Sequence, residues 1–327
     1  IAARPIEKIR RENGVAVEEE VFFDSVARIK TYAERSIGLV RGGNYTRYVR
    51  YDREYLVDVV SAARSTSFER KTWWFPIVGS VPYKGYYRRR PAERLAKRLH
   101  KDDWDVIIRT VDAFSTLGFF SDPLYSFMLD YSEARLAELI IHEMTHATLW
   151  VEGQSGFNEE FATFVGRVGA EEYLRERYGP ASTAVLDYRR SLIERDLFRE
   201  DILELRSRLQ RLYDTYEDIA AESSARAVIL ERKEEIITAF QREFAEAYDE
   251  RYASERYRYF VEAEVNNAWI DLFQTYSGDL PVFYRYHETI GSGDLSNTVK
   301  DIREIAQKED DVMAYLRTAV SSNAPRR

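Results

Sequence analysis

The sequence predicts an α+β protein that is predominantly helical, with a small β-sheet and a long antiparallel helical hairpin. Residues 132–152 contain no proline or glycine, and Leu136, Leu139, Ile140, Met144 and Ala147 recur at the spacing of one helix face. Between residues 183 and 260, Ile202, Leu205, Leu209, Leu212, Tyr216 and Ile219 alternate steps of three and four, a heptad rhythm within a charged stretch. Strand signals are sparse and confined to residues before the H-E-x-x-H helix, chiefly the β-branched run at residues 105–111.

The elements follow in order. Val21, Phe22, Val26, Ile29 and Tyr32 make residues 1–40 helical, and Gly42, Gly43 and Asn44 signal a turn before alternating Tyr and Val. Residues 73–87 mix aromatics with Gly79, Pro82 and Gly85, which suits a β-hairpin or irregular strands. Residues 91–100 return to helix, residues 105–111 form a strand, and residues 116–120 form a second strand. Such an edge strand suits an extended peptide, because main-chain hydrogen bonds grip any sequence; an ordinary core strand is the equal alternative. Ser132 is placed to cap the following helix, and Gly153 to stop it. A break at residues 222–224 separates the heptad helix from a second charged helix bearing Ile237, Phe240, Phe244 and Ala247. Residues 261–273 return toward the core as a further helix, which could carry Asn266 and Asn267 to the cleft. The divisions are therefore 1–180 as a core, 181–260 as the hairpin and 261–327 as C-terminal helices.

The chemistry lies in His142-Glu143-Met144-Thr145-His146, an H-E-x-x-H motif on the first of these helices. Residues four apart stand one above the other on a helix, so His142 and His146 can share one tetrahedral ion. Glu143 is offset round the helix, within reach of a water on that ion. Such a site needs a third protein ligand and a fourth position open to water. Glu159, early in the next helix, is the candidate, and the adjacent Glu160 competes with it. Phe161, Phe164, Val165 and Val168 would seat that second helix on the core.

His142-Glu143-Met144-Thr145-His146 followed by Asn158-Glu159-Glu160-Phe161-Ala162 resembles the gluzincin arrangement, H-E-x-x-H then N-E-x-x-A. The chain resembles more closely the bacterial family of predicted zinc aminopeptidases. That likeness extends to Lys71-Thr72-Trp73-Trp74-Phe75-Pro76-Ile77-Val78-Gly79, to Ser115-Thr116-Leu117-Gly118-Phe119-Phe120-Ser121-Asp122-Pro123 and to Asn266-Asn267-Ala268. The resemblance implies a gluzincin-like catalytic core, one Zn2+ per chain, and Glu159 rather than Glu160 as the ligand. It also implies a protein of the bacterial periplasm or envelope, with a possible lipid anchor upstream of residue 1. The Gly-x-Met-Glu-Asn strand by which better-known gluzincin aminopeptidases hold a substrate's amino group is absent from the sequence. Asp122 could serve instead.

Composition narrows the classes. A net charge of −8 argues against general nucleic-acid affinity, and the absence of cysteine removes disulfides and thiolate metal sites. No apolar run approaches the ~20 residues needed to cross a bilayer. The chain begins at Ile1 rather than Met, which suggests removal of a leader or a trimmed sequence.

The expected reaction is peptide hydrolysis, with Glu143 as general base and zinc lowering the pKa of its water toward about 7. Tyr276 and His287 are candidates for a second donor to the developing oxyanion, ahead of Tyr284 and Tyr286. Asn158 is expected to cap its helix or support a ligand. Two further classes remain: a zinc-bearing scaffold recruiting a partner or second copy through the 183–260 hairpin, and an amidase acting on cell-wall fragments.

Overall fold

The computed structural model describes residues 3–12, 15–75, 79–111, 122–216, 223–274 and 278–322. The fold is α+β and predominantly helical, with eleven α-helices and three small sheets among these residues. The chain forms two compact units. One comprises residues 1–54, 114–189 and 276–327, and the other residues 55–113 and 190–275.

The first unit carries the H-E-x-x-H motif. Its sheet is minimal: β1 (Arg4–Pro5) pairs antiparallel with β2 (Arg47–Val49), which pairs parallel with β8 (Leu124–Tyr125). Helices α1 (Ile6–Arg11) and α2 (Val17–Tyr32) lie between β1 and β2 in the chain. The latter runs on into a π-helical turn, Ala33–Ile37, that ends at Gly38 with φ +81°. Phe22, Val26, Ile29 and Tyr32 are buried as their spacing predicts and Phe23 joins them, whereas Val21 is turned to solvent, 59% exposed.

Helices α4 (Glu133–Thr148) and α5 (Ser155–Tyr178) form the centre of the unit. Ser132 caps α4, its hydroxyl accepting from the Arg135 N–H at 3.2 Å. Three helices close the unit: α9 (Leu280–Thr289), α10 (Leu295–Ala306) and α11 (Val312–Ser322). Fully buried Phe283 on α9 lies 6.0, 5.8 and 5.8 Å from the rings of Phe157, Phe161 and Phe164 on α5. This aromatic seam seats one face of α5 and leaves the opposite face for α4.

In the second unit β3 (Val57–Arg64) lies between β6 (Lys84–Tyr86) and β7 (Trp104–Val111), antiparallel to both. Strands β4 (Trp73–Phe75) and β5 (Gly79–Val81) make a separate hairpin. Helix α3 (Arg89–Lys101) lays Ala92, Leu95, Ala96 and Leu99 against Val60, Ala62 and Val106 of the sheet.

The long helices are α6 (Thr183–Thr215), which begins in the first unit, and α7 (Ser223–Arg251). They run antiparallel: Tyr252, just past α7, donates to Asp201 at 2.6 Å, and Arg208 pairs with Glu243 at 2.8 Å. Ile202, Leu205 and Leu209 are fully buried, as the heptad rhythm requires, while Ile219 lies outside the described residues. The pair does not stand alone. Phe198, Tyr213, Tyr248 and Tyr252 widen the apolar stripe beyond the heptad seam, and it closes over Phe260, Ile270 and Phe68.

Residues 261–273 contain only a short helix, α8 (Asn267–Asp271). Asn266 caps it, accepting from the Trp269 N–H at 3.0 Å. Asn267 is completely buried: its amide group donates to the carbonyls of Arg64 (2.8 Å) and Ser67 (3.0 Å), and its oxygen accepts from Tyr213 (2.8 Å). Its backbone N–H donates to Asp105 at 2.8 Å. The two asparagines therefore serve the second unit's framework, where buried backbone carbonyls need donors, rather than carrying their amides to a cleft.

Asn267→Ala strands two carbonyls and a phenol in the interior, so it should lower stability by about 3 kcal/mol. Denaturant unfolding followed by circular dichroism measures this.

Candidate metal centre

Glu138, Ile141 and His142 of α4 face α5 across a very small gap. A Cβ at Gly166 would sit 3.0 Å from the Glu138 carbonyl oxygen and 3.2 Å from His142 Cβ. One at Gly169 would sit 2.8 Å from Ile37 Cδ1 and 3.1 Å from Ile141 Cγ2. Glycine inside a helix costs about 1 kcal/mol relative to alanine, so two of them here offset a steric need. Glu159, Ala162, Gly166 and Gly169 recur at helical spacing, so the face that lets the helices touch ends, one turn earlier, in the Glu159 carboxylate.

The loop between the helices holds this register. Helix α4 ends at Thr148, earlier than Gly153 where the turn signal lies, although Gly153 does adopt a left-handed φ of +77°. The cause is not local. Asn158 takes both backbone groups of Val151, accepting its N–H at 2.8 Å and donating to its carbonyl at 2.7 Å, and so holds that part of the loop extended. Asn158 is thus a clamp within the α4–α5 connection rather than a helix cap. Thr148 ends the helix with its hydroxyl bonded to the Met144 carbonyl (2.7 Å) and accepting the Val40 N–H (2.9 Å).

Three donor atoms converge at this end of the pair. Nε2 of His142 and Nε2 of His146 are 3.1 Å apart. Glu159 places one carboxylate oxygen 3.8 Å from the first and the other 3.5 Å from the second. Donors bound tetrahedrally at about 2.0–2.1 Å from zinc are roughly 3.3 Å from one another. The group fits one small cation with little adjustment, and among the described residues it is the one His/Asp/Glu group with metal-holding geometry.

Electrostatics favour the ligating forms. Burial, together with the neighbouring His146, pushes the His142 imidazole down to about 4, so at neutral pH the ring is uncharged. A hydrogen bond to the Ala162 backbone occupies its other nitrogen, as a ligating histidine requires. His146 is almost completely buried, with the Trp150 ring 5.6 Å away, and its Nδ1 has no partner among the described residues. Burial raises the Glu159 carboxyl, but the hydrogen bond and charge of His146, with His142 behind it, outweigh this and hold it below its usual value.

Glu160, one residue further round the helix, is buried and accepts from the Asp279 N–H at 3.4 Å, on the side of α5 that meets α9. Glu143 lies half-buried on α4 beside His142. His287 is buried between α9 and α10, with Nδ1 2.9 Å from the Thr298 hydroxyl and its ring 5.6 Å from Phe164. Tyr284 stacks edge-on to Phe164 at 5.3 Å, and burial pushes Tyr286 up to about 12. Asp122 holds the 44–45 turn, its carbonyl accepting from the Tyr45 N–H (2.7 Å) and its own N–H donating to Asn44 (3.2 Å). Tyr276 and the strand expected at residues 116–120 lie outside the described residues.

One neighbour of the motif has no sequence signal. Tyr45 is buried with φ +60°, a left-handed conformation rare for a bulky residue. Burial, and after it the charges of Glu143 and Asp122, raise its phenol well above the usual value. Its proximity to Glu143 arises from a contact about a hundred residues distant in sequence, which no local pattern encodes.

Two imidazoles and a carboxylate facing each other across a helix pair form a group that could hold a metal ion. Residues 1–314 match the family described as "Putative aminopeptidase", and the chain belongs to that family. No curated protein and no solved structure matches the chain.

Gly166→Ala forces α5 away from α4 by a few tenths of an ångström while improving helix propensity. Zinc affinity, measured by competition with a chromophoric chelator, should fall about tenfold with helicity unchanged.

Proposed function

We propose that the protein is a zinc-dependent aminopeptidase in which His142, His146 and Glu159 hold the metal and Glu143 is the general base. The observation that carries this reading is the convergence of two histidine nitrogens and one carboxylate within 4.8 Å of one another. The family to which the chain belongs supports peptide hydrolysis with attack at the amino end. Zinc in that site supplies Lewis-acid polarisation of the scissile carbonyl and acidifies a water.

The remaining work falls to the protein. His142 offers its Nε2 lone pair because burial keeps its ring uncharged, and the Ala162 backbone keeps the ring turned toward Glu159. Glu159 contributes the negative charge, its two oxygens 3.8 and 3.5 Å from the Nε2 atoms of His142 and His146. Glu143 accepts a proton from water as the oxygen–carbon bond forms, then passes it to the departing amine as the carbon–nitrogen bond breaks. No thiol is available for a covalent route.

In Glu143→Gln, hydrolysis of aminoacyl arylamides should fall about 10³-fold with metal content unchanged. Cleavage should also require a free α-amino group, so the N-acetylated arylamide should be inert. Retained turnover in Glu143→Gln would exclude the mechanism, and cleavage of the acetylated substrate would exclude the exopeptidase assignment.

A further inference from the structure

Residues 84–101 carry eight lysines and arginines against one carboxylate, in a chain whose net charge is −8. Much of this charge lies on α3. The buried stripe of that helix, Ala92, Leu95, Ala96 and Leu99, is committed to the sheet, so the opposite stripe is fixed outward. Arg90, Arg94, Lys97 and Lys101 follow one another there at steps of four, three and four, all exposed, with Arg98 beside them. None of these five has a carboxylate within salt-bridge distance among the described residues, whereas the neighbouring Arg89 is held by Asp58 at 3.0 Å and Glu93 at 3.4 Å. Arg90, Glu93, Arg94 and Lys97 line a shallow hollow open to solvent.

Aromatic residues accompany the cationic stripe. Trp73 and Tyr86 turn inward onto the core beneath α3. Their chain neighbours Trp74 and Tyr87 turn outward, 70% and 71% exposed, the latter just before the first turn of α3. Large aromatics are seldom left so open, because each forgoes substantial apolar burial. Exposed indole and phenol rings, together with a row of cations, suit the headgroup layer of a bilayer, where the ring enters the interface and the cations meet lipid phosphates.

We infer that the exposed face of α3, with Trp74 and Tyr87, docks the protein on an anionic phospholipid surface. Charge complementarity selects an anionic partner, and the amphipathic rings select an interface over a purely ionic polymer. The concentration of positive charge in one segment of an otherwise acidic chain also favours a planar partner. A membrane can be met by this one face alone. The surface holds the protein to a membrane without crossing it; no described helix is long and apolar enough to span a bilayer.

Co-sedimentation of the full-length chain with vesicles tests this. Binding to phosphatidylcholine vesicles containing one-third phosphatidylglycerol should exceed binding to phosphatidylcholine alone by about tenfold or more, and should weaken as salt is raised. The Arg90→Glu, Arg94→Glu, Lys97→Glu, Lys101→Glu quadruple variant should lose that preference while keeping its circular dichroism and arylamide hydrolysis. Quenching of indole emission by brominated lipid should be seen in the parent and largely lost in Trp74→Phe, which leaves the charges untouched. Equal binding to neutral and anionic vesicles, an unaffected quadruple variant, or tighter binding to single-stranded DNA than to anionic vesicles at the same salt would overturn the assignment.

Discussion

The first unit depends on how closely α4 and α5 approach. A helix pair packed through ordinary side chains sits about 8–10 Å apart, and residues on opposing faces then meet through their side-chain ends. Here Gly166 and Gly169 remove the side chains at the crossing, and the Glu138 carbonyl and His142 Cβ fill the space a methyl group would occupy. That closeness brings the Glu159 carboxylate within 3.5–3.8 Å of two imidazoles and allows the Ala162 backbone to orient one of them. The centre and the packing are therefore one feature. A side chain that separates the helices also separates the ligands.

Other parts of the unit hold this crossing in register. Phe283 wedges against three phenylalanines on the far side of α5, so α5 cannot roll away from α4 without breaking an aromatic seam. Asn158 ties the connecting loop at Val151, one residue before Glu159. Both act near the ligand-bearing turn, where small rotations displace the carboxylate most. The second unit follows a separate logic, with its sheet and helical pair joined through buried polar groups such as Asn267 and the Lys233–Asp105 ion pair.

What was legible in the sequence was what helical periodicity encodes. The Ser132 cap, the strand expected at 105–111 and the antiparallel α6–α7 pair follow from spacing and capping chemistry, as do Leu136, Ile140 and Met144 on the buried face of α4, whereas Leu139 is half-buried and Ala147 exposed. The competition between Glu159 and Glu160 could not be resolved by spacing alone, because adjacent residues differ by only about 100° round the helix. The Phe283 seam separates them, turning Glu160 toward α9 and Glu159 toward α4. The end of α4 was misplaced by the Gly153 signal because Asn158, seven residues beyond Val151, competes for its backbone. Tyr45 was invisible for the same reason on a larger scale. A Gly166-x-x-Gly169 spacing inside a helix is the sequence sign of close packing, masked because glycine there resembles a weak helix position.

His142, His146 and Glu159 are proposed to hold one metal ion together, with Glu160 taking no part. Metal analysis of the purified protein and its single-residue variants tests it most directly. The account predicts one equivalent of zinc in the parent and in Glu160→Gln, with loss of most of it in His142→Ala and Glu159→Ala. Full zinc retention in Glu159→Ala, or its loss only in Glu160→Gln, would contradict it.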